Sequence, residues 1–215
     1  MKYPRFLLMA AAALLTLPLS SASAGNLAID TVDNPAGQGI STNSAGFTRG
    51  SEFTLSSSLV IDGLGYFDLN SDGLADSHDV GIYTSSGTLV VGPASVSSAD
   101  PLVASASALG DWRVAPITPV VLDPGDYVIA GYDPSGSDEA PFQSIYNDIP
   151  EIDRTLDRRF QSSAGLVFPT TVTQSTFSIV TFTATAVPEP ASVAIWSILG
   201  LALSGFGYYR ARRKE

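Results

Sequence analysis

The 215-residue chain carries 11 Lys and Arg against 21 Asp and Glu, a net charge of −10 and a pI near 4.3, with a mean hydropathy of +0.21. Cysteine is absent, so no disulfide framework staples the chain. Six of the cations (Lys2, Arg5, Arg210, Arg212, Arg213 and Lys214) sit at the two ends, leaving five Arg and no Lys against 19 carboxylates in residues 25–187. Nucleic acid is excluded as a partner, because phosphates would be repelled from such a surface.

Lys2 and Arg5 precede an apolar run over residues 6–19 and a small-residue stretch over 20–24. That order predicts a secretory signal peptide. Ala22-Ser23-Ala24 places small side chains where signal peptidase has shallow pockets, so cleavage is expected before Gly25, with a second choice after Ala22. The run is shorter than the roughly 20 residues of a membrane span.

Residues 25–187 read as one domain of ordinary size. Period-two segments rich in β-branched and aromatic residues occur at 53–55, 58–61, 80–83, 89–91, 127–132 and 171–186, bounded by Gly, Pro, Asp and Ser. The last slips phase near 177–180, which predicts a bulge or short turn. The fold class expected is all-β, an antiparallel β-sandwich of jelly-roll-like topology. A short helix is expected only over 152–160, where Asp153, Arg154, Asp157 and Arg158 stand at supportive spacing. Trp112-Arg113-Val114, followed by Pro116 and Pro119, reads as an edge strand because each proline removes a ladder donor. Asp123-Pro124-Gly125-Asp126 reads as a hairpin or corner feeding a buried strand.

One constellation carries metal chemistry. Asp68, Asn70, Asp72, Asp76 and Asp79 stand at positions 1, 3, 5, 9 and 12 of a twelve-residue loop, with Gly73 at position 6 and the Leu74 carbonyl at position 7. This is the spacing of a calcium loop, in which glycine permits a sharp turn and alternate oxygens converge on one ion. Asp79 stands where helix-loop-helix sites prefer Glu, and the flanks at 64–67 and 80–83 read as strands. Ca2+ in a strand-connecting loop and an ion-free Asn/Asp/Gly turn both fit the pattern.

Enzymatic chemistry has little to build on. His78 is the only histidine, no cysteine exists and no Gly-x-Ser-x-Gly elbow surrounds a serine. Zinc would need nitrogen or sulfur ligands that are missing. No pair among the 19 carboxylates is singled out for glycoside cleavage. The chain is expected to be non-enzymatic. Tyr66, Trp112, Tyr132, Phe142 and Tyr146 would stack on the sugar rings of an exopolysaccharide if exposed, and would otherwise be core.

The carboxyl end has three parts in order: Pro188-Glu189-Pro190, an uncharged apolar segment over 191–209 interrupted by Ser192, Ser197 and Ser204, and Arg210, Arg212, Arg213 and Lys214. Nineteen helical residues extend about 28 Å, enough to cross a bilayer. The basic cluster places the tail on the cytoplasmic side and the acidic bulk outside. Pro188 and Pro190 hold the preceding chain extended and accessible, suited either to a processing enzyme or to a rigid linker before an anchor. The combination over 187–214 resembles the PEP-CTERM sorting signal. That resemblance implies export, temporary anchoring in the inner membrane of a Gram-negative, exopolysaccharide-producing bacterium, and recognition by an exosortase, with the cell surface or extracellular matrix as destination. Residues 63–83 together with Pro124-Gly125-Asp126-Tyr127-Val128-Ile129 resemble a β-sandwich domain common in PEP-CTERM and other exported proteins. This second likeness covers about residues 45–132 and implies a fold without an activity.

Overall fold

The computed structural model of the protein describes residues 25–34, 39–41, 45–142, 145–154, 157–174, 179–187 and 196–200. The strands in chain order are β1 (Asn26–Leu27), β2 (Ile29–Val32), β3 (Gly39–Ser41), β4 (Phe47–Leu55), β5 (Leu59–Leu69), β6 (His78–Thr84), β7 (Leu89–Val96) and β8 (Leu102–Val103). They continue as β9 (Gly110–Leu122), β10 (Gly125–Asp133), β11 (Ala140–Phe142), β12 (Ile145–Asp148), β13 (Ile152–Asp153), β14 (Asp157–Ser162), β15 (Thr171–Gln174) and β16 (Val180–Ala186).

All pairing is antiparallel. A five-stranded sheet runs β1-β16-β5-β9-β8, and a seven-stranded sheet runs β15-β14-β4-β10-β6-β7 with β13 also on β4. Two small ribbons, β11-β3 and β12-β2, accompany them. The larger sheets share one core. Phe53, Ile82 and Ile129 enter it from the seven-stranded sheet, Leu64 and Phe182 from the five-stranded one. The Phe53 and Phe182 rings meet across the gap with centroids 5.4 Å apart. Each such side chain contributes about 1.5–3 kcal/mol by leaving water. The architecture is all-β and consistent with a β-sandwich.

The five-stranded sheet is buried on its outer face too. Phe67, Leu69, Trp112 and Val114 form a second cluster there, covered by Leu27, Val103 and Leu109. This explains why residues 63–69 of β5 are buried without the usual alternation. The connections after β5 and β9 change sheets, so residues 123–124 make a corner rather than a hairpin, with the Tyr127 hydroxyl donating to the Asp123 carbonyl at 2.8 Å.

Two local expectations are corrected. Residues 152–160 supply β13 and the first part of β14 instead of a helix. Of the charges that suggested helical neighbours, Arg154 instead bonds Asp148 at 3.1 Å, and the adjoining Arg159 bonds Glu52 on β4. Pairing of β14 with both β4 and β15 outweighs a few tenths of a kcal/mol of helical charge pairing. Trp112 and Arg113 are not at an edge, because β8 pairs with them, whereas Pro116 and Pro119 lie farther along β9 where β8 no longer reaches. The bulge or turn expected near 177–180 falls between the end of β15 and the start of β16, where residues 175–178 lie outside the described residues; the register shift between Thr183 and Ala184 is a separate feature whose extra residue, Asp62, is on β5.

Candidate functional site

Residues 70–77 connect β5 in one sheet to β6 in the other. The chain turns with Asn70 at φ 64°, Ser71 at φ 56° and Gly73 at φ 108°. Asparagine and glycine tolerate this left-handed region best, which is why a turn of this kind suits the sequence.

The calcium-pattern residues are placed unevenly. Asp68 is 1% exposed, and its carboxylate accepts the Gly73 amide at 3.1 Å and Arg113 Nε at 2.8 Å. Asn70 and Asp72 are exposed, Leu74 is packed in the core, Asp76 accepts the Ser135 hydroxyl, and Asp79 is half-buried on β6. Arg113 thus supplies positive charge to position 1 of the loop. Among the described residues, no group of three or more His, Cys, Asp or Glu side chains is gathered closely enough to hold a metal ion.

Beneath the loop lies a buried polar cluster that the spacing did not announce. His78 has no exposed surface, stacks on Tyr66, and has Nδ1 3.1 Å from the Tyr132 carbonyl and Nε2 2.7 Å from Asp138 Oδ2. Both facing atoms are acceptors, so the ring tautomer decides which of the two contacts the imidazole donates to. Asp138 also accepts the Ala75 amide at 2.9 Å and the Asp76 amide at 3.2 Å. It therefore fastens the crossover to the 133–138 turn. Close by, Arg49 pairs with Asp133 at 3.5 Å, both buried. Burial lowers the Arg49 pKa, and burial followed by Asp133 pushes the Tyr66 phenol well above its ordinary value. With His78 enclosed, the cluster offers a substrate no open face, and its chemistry is that of a clamp. Asp138 lies 60 residues from His78, beyond any local motif.

A separate surface cleft of about 470 Å3 is bordered by Asn26, Leu27, Asp30, Val103, Asn147 and Asp148, among others. Asp30 is saturated by the Thr31 and Ala106 amides, the Ser105 hydroxyl and Trp112 Nε1 at 2.7–2.9 Å. Asp148 bonds Arg154 through Oδ2, while its Oδ1 is buried with no hydrogen-bond partner among the described residues. Burial raises the Asp148 pKa against the opposing effect of Arg154.

Of the candidate sugar-stacking aromatics, Tyr66 and Trp112 have no exposed surface and belong to the core. Tyr132 and Tyr146 are half-buried, and the Phe142 side chain lies outside the described residues. Arg154 lies over the Tyr146 ring, 3.5 Å from its centroid. Pro188, Glu189, Pro190, Arg210, Arg212, Arg213 and Lys214 lie outside the described residues, as do residues 1–24. Within 191–209, residues 196–200 are helical and exposed, and among the described residues no helix is long and apolar enough to cross a membrane. Compared with known proteins, the chain matches no family model, no curated protein and no solved structure.

Proposed function

We propose that the chain is an exported, non-enzymatic protein of the cell surface or extracellular matrix, sorted through its carboxyl tail by an exosortase after temporary anchoring in the inner membrane. One observation carries most weight. Asn26 of β1 pairs with Ala184 of β16, and the Val187 amide donates to the Ser58 carbonyl just before β5, so the described sandwich begins and ends at the same end of this sheet. A domain whose two ends leave together suits a chain held at a membrane by an amino-terminal signal and a carboxyl-terminal span at once. The order Pro188-Glu189-Pro190, apolar segment, basic cluster supports the same reading. A jelly-roll-like course for the sandwich belongs to it as well. The test is deletion of residues 188–215: release of the protein from the membrane fraction is expected, and unaltered retention would count against the reading.

Calcium is an accessory proposal carried by the spacing of residues 68–79 alone. A rise in melting temperature of the purified protein at millimolar calcium, abolished by Asp72→Ala, supports it, and an unchanged melting curve removes it.

A second reading is that the protein holds exopolysaccharide. The cleft favours it, because Asn26, Asn147 and Asp148 present polar groups beside Leu27 and Val103, a mixture suited to a sugar's hydroxyls and ring face. A glycan array separates the readings, and Asn147→Ala is expected to weaken any binding found.

A further inference from the structure

We propose that Asp62 is the built acceptor for the α-ammonium group that signal-peptide removal creates at Gly25, so that export processing completes an ion pair locking the first strand onto its sheet. The proposal rests on the reading of residues 1–24 as a removed signal.

Three independent features meet at this point. Asp62 is a bulge residue: β5 pairs through Ile61 and Gly63 with both neighbouring strands, and the register shifts between them on the β9 side and between Thr183 and Ala184 on the β16 side. Bulges re-aim a side chain that regular pleating would point elsewhere. Here the Asp62 carboxylate is aimed at the chain start, with Oδ2 3.1 Å from the Gly25 nitrogen and Oδ1 2.5 Å from the Thr183 hydroxyl. No Arg, Lys or His among the described residues forms an ion pair with it.

Gly25 is also fitted to the place by what it lacks. A Cβ there would stand 2.6 Å from the Ala184 nitrogen and 2.7 Å from Asp62 Oδ1, so backbone and carboxylate close around a residue without a side chain. Finally, the nitrogen that meets Asp62 belongs to the bond after Ala22-Ser23-Ala24, where the sequence alone expects cleavage.

Hydrolysis breaks the Ala24–Gly25 amide. Water gives its hydroxyl to the Ala24 carbonyl carbon and a hydrogen to the Gly25 nitrogen, and the freed amine takes a proton from solvent at neutral pH. Before the cut, Asp62 faces one neutral N–H; afterwards it faces three donors on a full positive charge. Charge-assisted hydrogen bonds of this kind are about twice as strong as neutral ones. The α-amine of a free chain titrates near 7.7–8.0. A facing carboxylate raises that value in the folded state, so the contribution is complete below about pH 8 and is lost as pH rises through the folded-state pKa.

The experiment uses the full chain, exported by its own signal and purified from the membrane fraction. Amino-terminal sequencing is expected to begin at Gly25; a start at Ser23 or Met1 would overturn the processing reading and the ion pair with it. Residues 25–215 contain a single lysine, Lys214, so acetylation near neutral pH reports chiefly on the α-amine. Acetylation is expected to lower the melting temperature by about 2–4 °C, and to change nothing in Asp62→Asn. A start at Gly25 with no drop, or with equal drops in both proteins, would overturn the ion pair while leaving the processing reading intact. Should Asp62→Asn fail to fold, NMR titration of the wild-type α-amine decides: a value above about 8 supports the pair, and an ordinary value overturns it.

Discussion

His78 lies flat against Tyr66, with ring centroids 3.7 Å apart and planes 9° from parallel, and the two residues come from strands of different sheets. The stack closes the end of the core beneath the crossover loop. Tyr66 Oη is buried there with no hydrogen-bond partner among the described residues. Burying a hydroxyl unpaired costs about 1–3 kcal/mol, so the ring is retained for packing at the expense of its oxygen. Tyr66→Phe is expected to melt at or above the wild-type temperature, whereas Tyr66→Ala loses about 3–5 kcal/mol. Thermal denaturation of both variants checks the pair of outcomes.

Tyr66 also predicts behaviour at high pH. Its folded-state pKa is raised by burial first and by Asp133 second. The sign follows: below about 10 the contribution is complete, and above that value the unfolded chain ionises first and stability falls as pH rises. Absorbance of tyrosinate from Tyr66 should therefore appear only together with loss of the folded circular-dichroism signal. The difference between wild type and Tyr66→Phe under alkaline conditions isolates it.

Arg113 and Asp68 form the ion pair at the root of the crossover, with side chains 14% and 1% exposed. Removing one partner strands a buried charge. Arg113→Met is expected to cost about 3 kcal/mol or more, and Arg113→Met combined with Asp68→Asn to recover part of that loss. Chemical denaturation of the two single variants and the double variant measures the coupling.

Asp148 should behave in the opposite sense. Burial raises its pKa despite Arg154 at 3.1 Å, so its charged form weakens the fold at neutral pH. Asp148→Asn is expected to be at least as stable as wild type at pH 7. Its advantage shrinks as pH falls through the raised pKa and vanishes below the ordinary carboxylate range. A lower melting temperature for Asp148→Asn at pH 7 would contradict this.

Acidic residues of this chain are therefore not interchangeable. Asp30 gathers four donors, including the Trp112 indole, whereas Asp72 is exposed. Asp30→Ala is expected to cost more than about 3 kcal/mol, since hydrogen bonds to charged groups contribute about 1.5–3 kcal/mol each. Asp72→Ala without calcium should stay within about 0.5 kcal/mol of wild type. Parallel denaturation curves compare them directly.

Alternation of β-branched and polar residues, with Gly, Pro and Asp between, was sufficient to read the all-β class and the positions of β4, β5, β6, β7, β10 and β16, because a half-buried strand repeats every two residues whatever its neighbours are. The proposal of export and sorting rests likewise on hydropathy and charge order in the two end segments, which are properties of the chain itself. Tertiary structure decided the rest. Residues 152–160 became strand because β4 and β15 offered ladder partners that local charge spacing cannot anticipate. Trp112 became core because Leu27, Val103 and Leu109 cover a sheet face that could have met water. The fate of the 68–79 carboxylates turned on Arg113 and on Asp138, donor and acceptor brought from distant sequence. A carboxylate's role depends on which charge reaches it first in space, and that is settled only when the two sheets have closed on one another.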